Sequence, residues 1–102
     1  MIRVSVFYPS GGKFDQDYYV NSHMKMIAER VGDALIRFEV DKGLSGATPG
    51  SPAPYMAVGH LYFNSVPEFA QAFAPHAGEI MADVPNYTDA QAQVQISEIV
   101  SG

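Results

Sequence analysis

The segment Phe14-Asp15-Gln16-Asp17-Tyr18-Tyr19-Val20-Asn21-Ser22-His23 decides the reading of the whole chain, because it opens a helix and brings two tyrosines and a histidine near one surface. With Asp15 or a neighbour as the cap, apolar or amphipathic side chains recur at Tyr19, His23, Met26, Ile27 and Val31, the spacing of one buried helical face. Gly32 supplies a C-terminal stop, so the helix is predicted from near Asp15 to near Gly32. His23 then points inward. A helix built only for packing would carry an aliphatic residue there, so a ring that titrates near neutral pH is a candidate for chemistry.

On both sides of that helix the period changes from helical to alternating. Ile2, Val4, Val6 and Tyr8 alternate with Arg3, Ser5 and Phe7, predicting a first strand, and Pro9-Ser10-Gly11-Gly12-Lys13 supplies the turn after it. Ala34 to Lys42 alternates again as a second strand, and Tyr55 to Phe63 as a third. Between them, Gly43 to Pro54 carries a glycine or proline every few residues and is read as an irregular connection, although a lid over a site shares that composition. Ser65-Val66-Pro67-Glu68 has the form of a capping box and opens a second helix that buries Val66, Phe69, Ala70 and Phe73. Pro75 interrupts it before a continuation through Ile80 and Met81. Beyond Val84-Pro85-Asn86-Tyr87-Thr88-Asp89, the residues Val94, Ile96, Glu98 and Val100 alternate with Gln93, Gln95, Ser97 and Ile99 to give a last strand.

The order βαββαβ, with right-handed crossovers, predicts an α+β fold of ferredoxin-like type: one antiparallel four-stranded sheet in a single domain over residues 1–102, both helices on one face. Ile2, Val4, Val6, Ile36, Phe38, Val40, Ala57, Leu61, Phe63, Val94 and Ile96 make an aliphatic layer for the helices to cover. The opposite layer mixes Phe7, Met56, Val58, Tyr62 and Ile99 with Arg3, Ser5, Arg37, Glu39, His60, Gln93, Gln95 and Ser97. Such a face is too apolar to stand open and too polar for an ordinary core, so pairing with the same face of a second copy, as a homodimer enclosing a barrel, is expected.

Composition narrows the function. A chain of 102 residues buries a small fraction of its surface, which favours association, and 47% hydrophobic residues argue against disorder. The absence of cysteine excludes disulfides, thiolate nucleophiles and Cys-ligated metals. No apolar run approaches a membrane span and Met1-Ile2-Arg3-Val4 does not read as a signal peptide, so a cytoplasmic protein is expected. A net charge of −5 with scattered lysine and arginine offers no footprint for nucleic acid or membrane, leaving a small apolar or aromatic organic molecule as the expected ligand.

The order of elements, the run Phe14-Asp15-Gln16-Asp17-Tyr18-Tyr19 followed by His23, and the late Val84-Pro85-Asn86-Tyr87-Thr88-Asp89 leading into Gln95-Ile96-Ser97-Glu98 resemble the EthD-like family, named for ethyl tert-butyl ether degradation, within the dimeric α+β barrel superfamily. The family usually follows this histidine with proline, whereas Met24 and Lys25 follow here. The resemblance implies a small dimer with a pocket between sheet and helices. The wider superfamily includes cofactor-free oxygenases, cyclases, isomerases, decarboxylases and haem-degrading proteins, so fold analogy alone does not choose a reaction.

The site admits two readings. In the catalytic one, His23 is the general base and Tyr19, one turn earlier, steadies the resulting oxyanion, in an oxygenase, isomerase or decarboxylase type of reaction; in the other, His23 is structural and the protein binds or presents a ligand to a partner enzyme. Tyr18, His60, Tyr62, Asn86 and Tyr87 are candidates to line the pocket. No cofactor is expected, for lack of nucleotide motifs, and no metal, because His23, His60 and His76 form no HxH or HxxxH pattern, although each could serve a haem as axial ligand.

Overall fold

In the computed structural model, which describes residues 1–102, strands β1 (Ile2–Pro9), β2 (Arg37–Lys42), β3 (Tyr55–Phe63) and β4 (Gln93–Glu98) form one sheet in the order β2-β3-β1-β4. Every neighbouring pair is antiparallel, with Val4 opposite both Leu61 and Ile96, and Leu61 opposite Phe38. The first crossover runs through α1 (Gln16–Tyr18), a π-helical turn (Tyr19–His23) and α2 (Met24–Val31); the second through α3 (Val66–Phe73), a 3-10 turn (Ala74–His76) and α4 (Ala77–Asp83).

Local chemistry explains the boundaries. The Asp15 carboxylate accepts from the Tyr18 N–H at 3.0 Å, satisfying one of the orphan donors of the first turn. Gly32 ends α2 at φ 63°, a conformation that favours a residue without Cβ. Ser65 Oγ accepts from the Glu68 N–H at 3.3 Å, Pro67 occupies the first turn of α3, and Pro75 divides the second helix where its ring cannot continue α geometry.

The π-turn corrects the expected helical face. The Met24 N–H bonds the Tyr19 carbonyl, five residues back, so one extra residue enters the turn and rotates the remainder of the helix. The buried side chains are therefore Tyr19, His23, Met24, Ile27 and Val31, while Met26 is only half-buried. The sheet's expected helix-side layer also needs correction at its margins. Val94 and Ile96 share the face of Val4 and Val6 yet remain 63% and 44% exposed, because β4 is an edge strand that the helices leave largely uncovered. Ile36 is likewise exposed and precedes β2, whose expected start at Ala34 belongs to a 3-10 turn (Gly32–Ala34). The last strand ends at Glu98, short of Ile99 and Val100.

Only 17 of 102 residues are buried, so the core is a thin layer between helices and the central strands β1 and β3. The Gly43–Pro54 connection makes its own turns and is tied to the end of β1, where the Ser10 N–H donates to the Pro54 carbonyl at 3.0 Å and Ser10 Oγ to the Ala53 carbonyl at 2.7 Å.

Candidate functional site

Where the first helix opens, an aromatic cluster closes around His23. Tyr8 at the end of β1, Phe14, Tyr19 and Tyr87 pack with ring centroids between 4.9 and 5.8 Å apart. Tyr19 stacks on the His23 imidazole at 5.5 Å with an interplanar angle of 16°. Its hydroxyl lies against Gly59, where a Cβ would collide with it, so the glycine in β3 makes room for the ring. The late segment is fastened to the helix opening: Phe14 and Thr88 form an antiparallel bridge, the Asp15 N–H donates to the Tyr87 carbonyl at 2.8 Å and Thr88 Oγ1 to the Lys13 carbonyl at 2.6 Å. Two stretches more than 60 residues apart thereby hold Tyr87 over His23.

A chain of hydrogen bonds runs through the cluster. His23 Nδ1 is 2.9 Å from Asp83 Oδ2, His23 Nε2 is 3.4 Å from the Tyr87 hydroxyl, and Tyr87 is 2.7 Å from the Tyr8 hydroxyl. Its direction is set by the carboxylate, which only accepts. Nδ1 therefore carries the proton of the neutral ring, Nε2 accepts from Tyr87, and Tyr87 accepts from Tyr8. On the far side, Asp83 Oδ1 accepts from the Tyr18 hydroxyl at 2.7 Å and from Asn86 Nδ2 at 3.0 Å.

Burial governs the protonation states. His23 is 3% exposed, and desolvation pushes its pKa below the ordinary 6.5, with the Asp83 hydrogen bond opposing part of that fall. The ring is neutral at pH 7. Desolvation also works against the Asp83 charge, but the hydrogen bonds from Tyr18, Asn86 and His23 outweigh it and hold the carboxyl below its usual value. Burial raises Tyr8, Tyr19 and Tyr87, so all three stay protonated donors. The arrangement has the parts of a base assembly: a neutral imidazole, a carboxylate that orients it and would stabilise its charged form, and a hydroxyl on its free nitrogen.

Of the residues singled out from sequence, His23, Tyr19, Tyr18, Asn86 and Tyr87 converge here. His60 and Tyr62 do not. They lie on the other face of the sheet, opposite Ser5 and Arg3, separated from His23 by the strands themselves. His76 is half-buried in the turn between α3 and α4. Sequence reasoning missed Tyr8 and Asp83. Tyr8 continues the helix-facing alternation of Ile2, Val4 and Val6, and Asp83 is an acid at a helix C-terminus, where the macrodipole favours a base. Beside Tyr87 a surface depression of about 510 Å³ opens between residues 13–15 and 85–89, and Asn86 and Tyr87 line it. No three histidine or carboxylate side chains converge as a metal site, and no helix is long and apolar enough to cross a membrane.

Comparison with known proteins fits this architecture. The family model of the EthD domain matches residues 13–91. An EthD-like protein from Ralstonia eutropha JMP134 superposes with a TM-score of 0.93 at 39% identity, covering 98% of this chain and 92% of that one. An ethyl tert-butyl ether degradation family protein from Bacillus halodurans C-125 gives 0.72 at 16% identity, covering 96% and 97%. SnoaB from Streptomyces nogalater, a cofactor-independent oxygenase, gives 0.58 at 12% identity, covering 99% and 93%, a likeness of fold alone. None of the curated proteins matches the sequence.

Proposed function

The chain belongs to the EthD domain family, and on that premise we propose that it is a cytoplasmic homodimer, paired through the open sheet face, that takes a small phenolic, quinonoid or diketone compound beside Tyr87 and removes a proton from it with His23 as base. The observation that carries this reading is the chain Asp83–His23–Tyr87–Tyr8. Tyr87 lines the depression and bonds the imidazole, so the proton passes through it: Tyr87 takes the substrate proton as it passes its own to His23 Nε2, and Asp83 stabilises the imidazolium. Tyr19 keeps the ring in plane by stacking, a different part from the oxyanion donor expected of it from sequence. The resulting carbanion or phenolate can isomerise, lose carbon dioxide or react with oxygen. The near-complete burial of His23 also favours a second reading, in which the same depression holds a ligand for a partner enzyme and the imidazole is structural.

The test is turnover of hydroxyquinones, phenols and 1,3-diketones by purified protein without added metal or flavin, compared with His23→Gln and Tyr87→Phe. Catalysis predicts a loss of about 100-fold or more in both His23→Gln and Tyr87→Phe, with ligand binding retained. Silence across the panel, or an unchanged rate in folded His23→Gln, overturns the base assignment in favour of the binding protein.

A further inference from the structure

Tyr18, expected from the sequence to line a pocket, stands outside the depression and is turned toward Asp83 instead. Its hydroxyl donates to Asp83 Oδ1 at 2.7 Å while His23 Nδ1 lies 2.9 Å from Oδ2, so one helical segment grips both oxygens of one carboxylate. Residues five apart diverge by about 140° around the axis of an unbroken α-helix, too far to share such a target. The π-turn that follows Tyr18 takes in an extra residue and narrows that divergence. Tyr18 is itself pinned along its length: the Asp15 carboxylate holds its N–H at 3.0 Å, and its ring lies nearly parallel to Tyr87, at 6.3 Å and 21°. Asn86 closes the clamp, with Nδ2 donating to Asp83 Oδ1 at 3.0 Å and lying 3.5 Å from the Tyr18 hydroxyl. No lysine or arginine pairs with Asp83; the ionisable groups that face it are His23, Tyr18 and Tyr87.

We propose that Tyr18 and Asn86 are positioning residues for His23 that act through Asp83: they occupy Oδ1, leave Oδ2 turned to Nδ1, and so hold the imidazole in the tautomer whose Nε2 accepts from Tyr87. The terminal torsion of an aspartate is broad and roughly two-fold, so a single bond to His23 would not fix the carboxylate. Two donors on Oδ1 do. They also share its charge, which keeps the carboxyl below its ordinary range and weakens its pull on the Nδ1 proton. Removing a donor from Oδ1 therefore raises Asp83, whose ionised form loses a hydrogen bond, and raises His23, whose imidazolium then faces a more basic partner. The consequence for turnover rests on the reading of His23 as base; the clamp does not.

NMR titration of the Asp83 carboxyl carbon and the His23 ring nitrogens tests this without a substrate. In Tyr18→Phe, which keeps the ring beside Tyr87 and loses the hydroxyl, the Asp83 midpoint is expected to rise by about one pH unit and the His23 midpoint to rise with it. Asn86→Ala, at an exposed position, is expected to move both the same way, and it serves as the measurement if Tyr18→Phe fails to fold. For any compound turned over, the acid limb of the rate profile should move up with the His23 midpoint while KM stays, because Tyr18 does not touch the depression. Midpoints unmoved in the folded variants, an Asp83 midpoint that rises while His23 stays, or a neutral wild-type ring protonated at Nε2 overturns the inference. Raised midpoints with no turnover of any compound support the clamp and remove only the base reading.

Discussion

His23 and His60 are held by the same kinds of group, a carboxylate on one ring nitrogen and a hydroxyl on the other, yet the two sites differ in what surrounds them. His23 is enclosed by tyrosines and its carboxylate is 15% exposed, whereas the carboxylate beside His60 is 63% exposed. Burial therefore decides how the His23 imidazole is tuned. Desolvation lowers the His23 pKa against the pull of Asp83 and couples its charge to folding. On the open face solvent screens the His60–Asp41 pair, and what the sheet contributes there is alignment.

The sharpest way to break this contrast is to dismantle the aromatic enclosure. Tyr19→Ala removes a fully buried ring that touches Tyr8, Phe14, His23 and Tyr87, and is expected to cost about 3–5 kcal/mol of stability in urea unfolding. A loss near zero would mean that the cluster does not hold the π-turn.

A smaller effect is expected from acid. Because the folded pKa of His23 lies below its ordinary 6.5, the unfolded chain binds the proton first; stability is complete above that value and falls as the pH drops through it. Asp83, held below its ordinary 3.8, adds a further loss of the same sign at lower pH. Unfolding midpoints measured from about pH 7 to about pH 5 should fall in wild type and lose that slope in His23→Gln. Equal slopes in the two would show that burial of His23 does not couple its charge to folding.

The smallest effect belongs to the exposed carboxylate. Asp41→Ala is expected to leave the melting midpoint almost unmoved, since a pair with so exposed a carboxylate stabilises little. A large drop in the midpoint would make the open-face pair structural.

How far the sequence carried the fold can be traced residue by residue. Strand alternation, the Asp15 and Ser65 caps, the stop at Gly32 and the break at Pro75 are local signals, and each is found where its chemistry requires. Met24 in place of Met26 on the buried face was not legible, because a π-turn needs only one extra residue and has no compositional mark. Nor was the exposure of Val94 and Ile96, since alternation assigns a face but not whether a helix reaches that edge. At the candidate site, His23, Tyr19 and Tyr87 were visible as residue types, but Asp83 and Tyr8 were not, because nothing in linear order says which carboxylate meets which ring.

By itself the sequence determined the succession of strands and helices and the inward aim of His23, because both arise from periodicity and capping within a few residues. Only the tertiary structure decided that Asp83, Tyr87 and Tyr8 join that imidazole and that Ser5 meets His60 across strands. Those contacts join residues about 55 to 79 positions apart, and chain order carries no distance over such a separation until the sheet has closed.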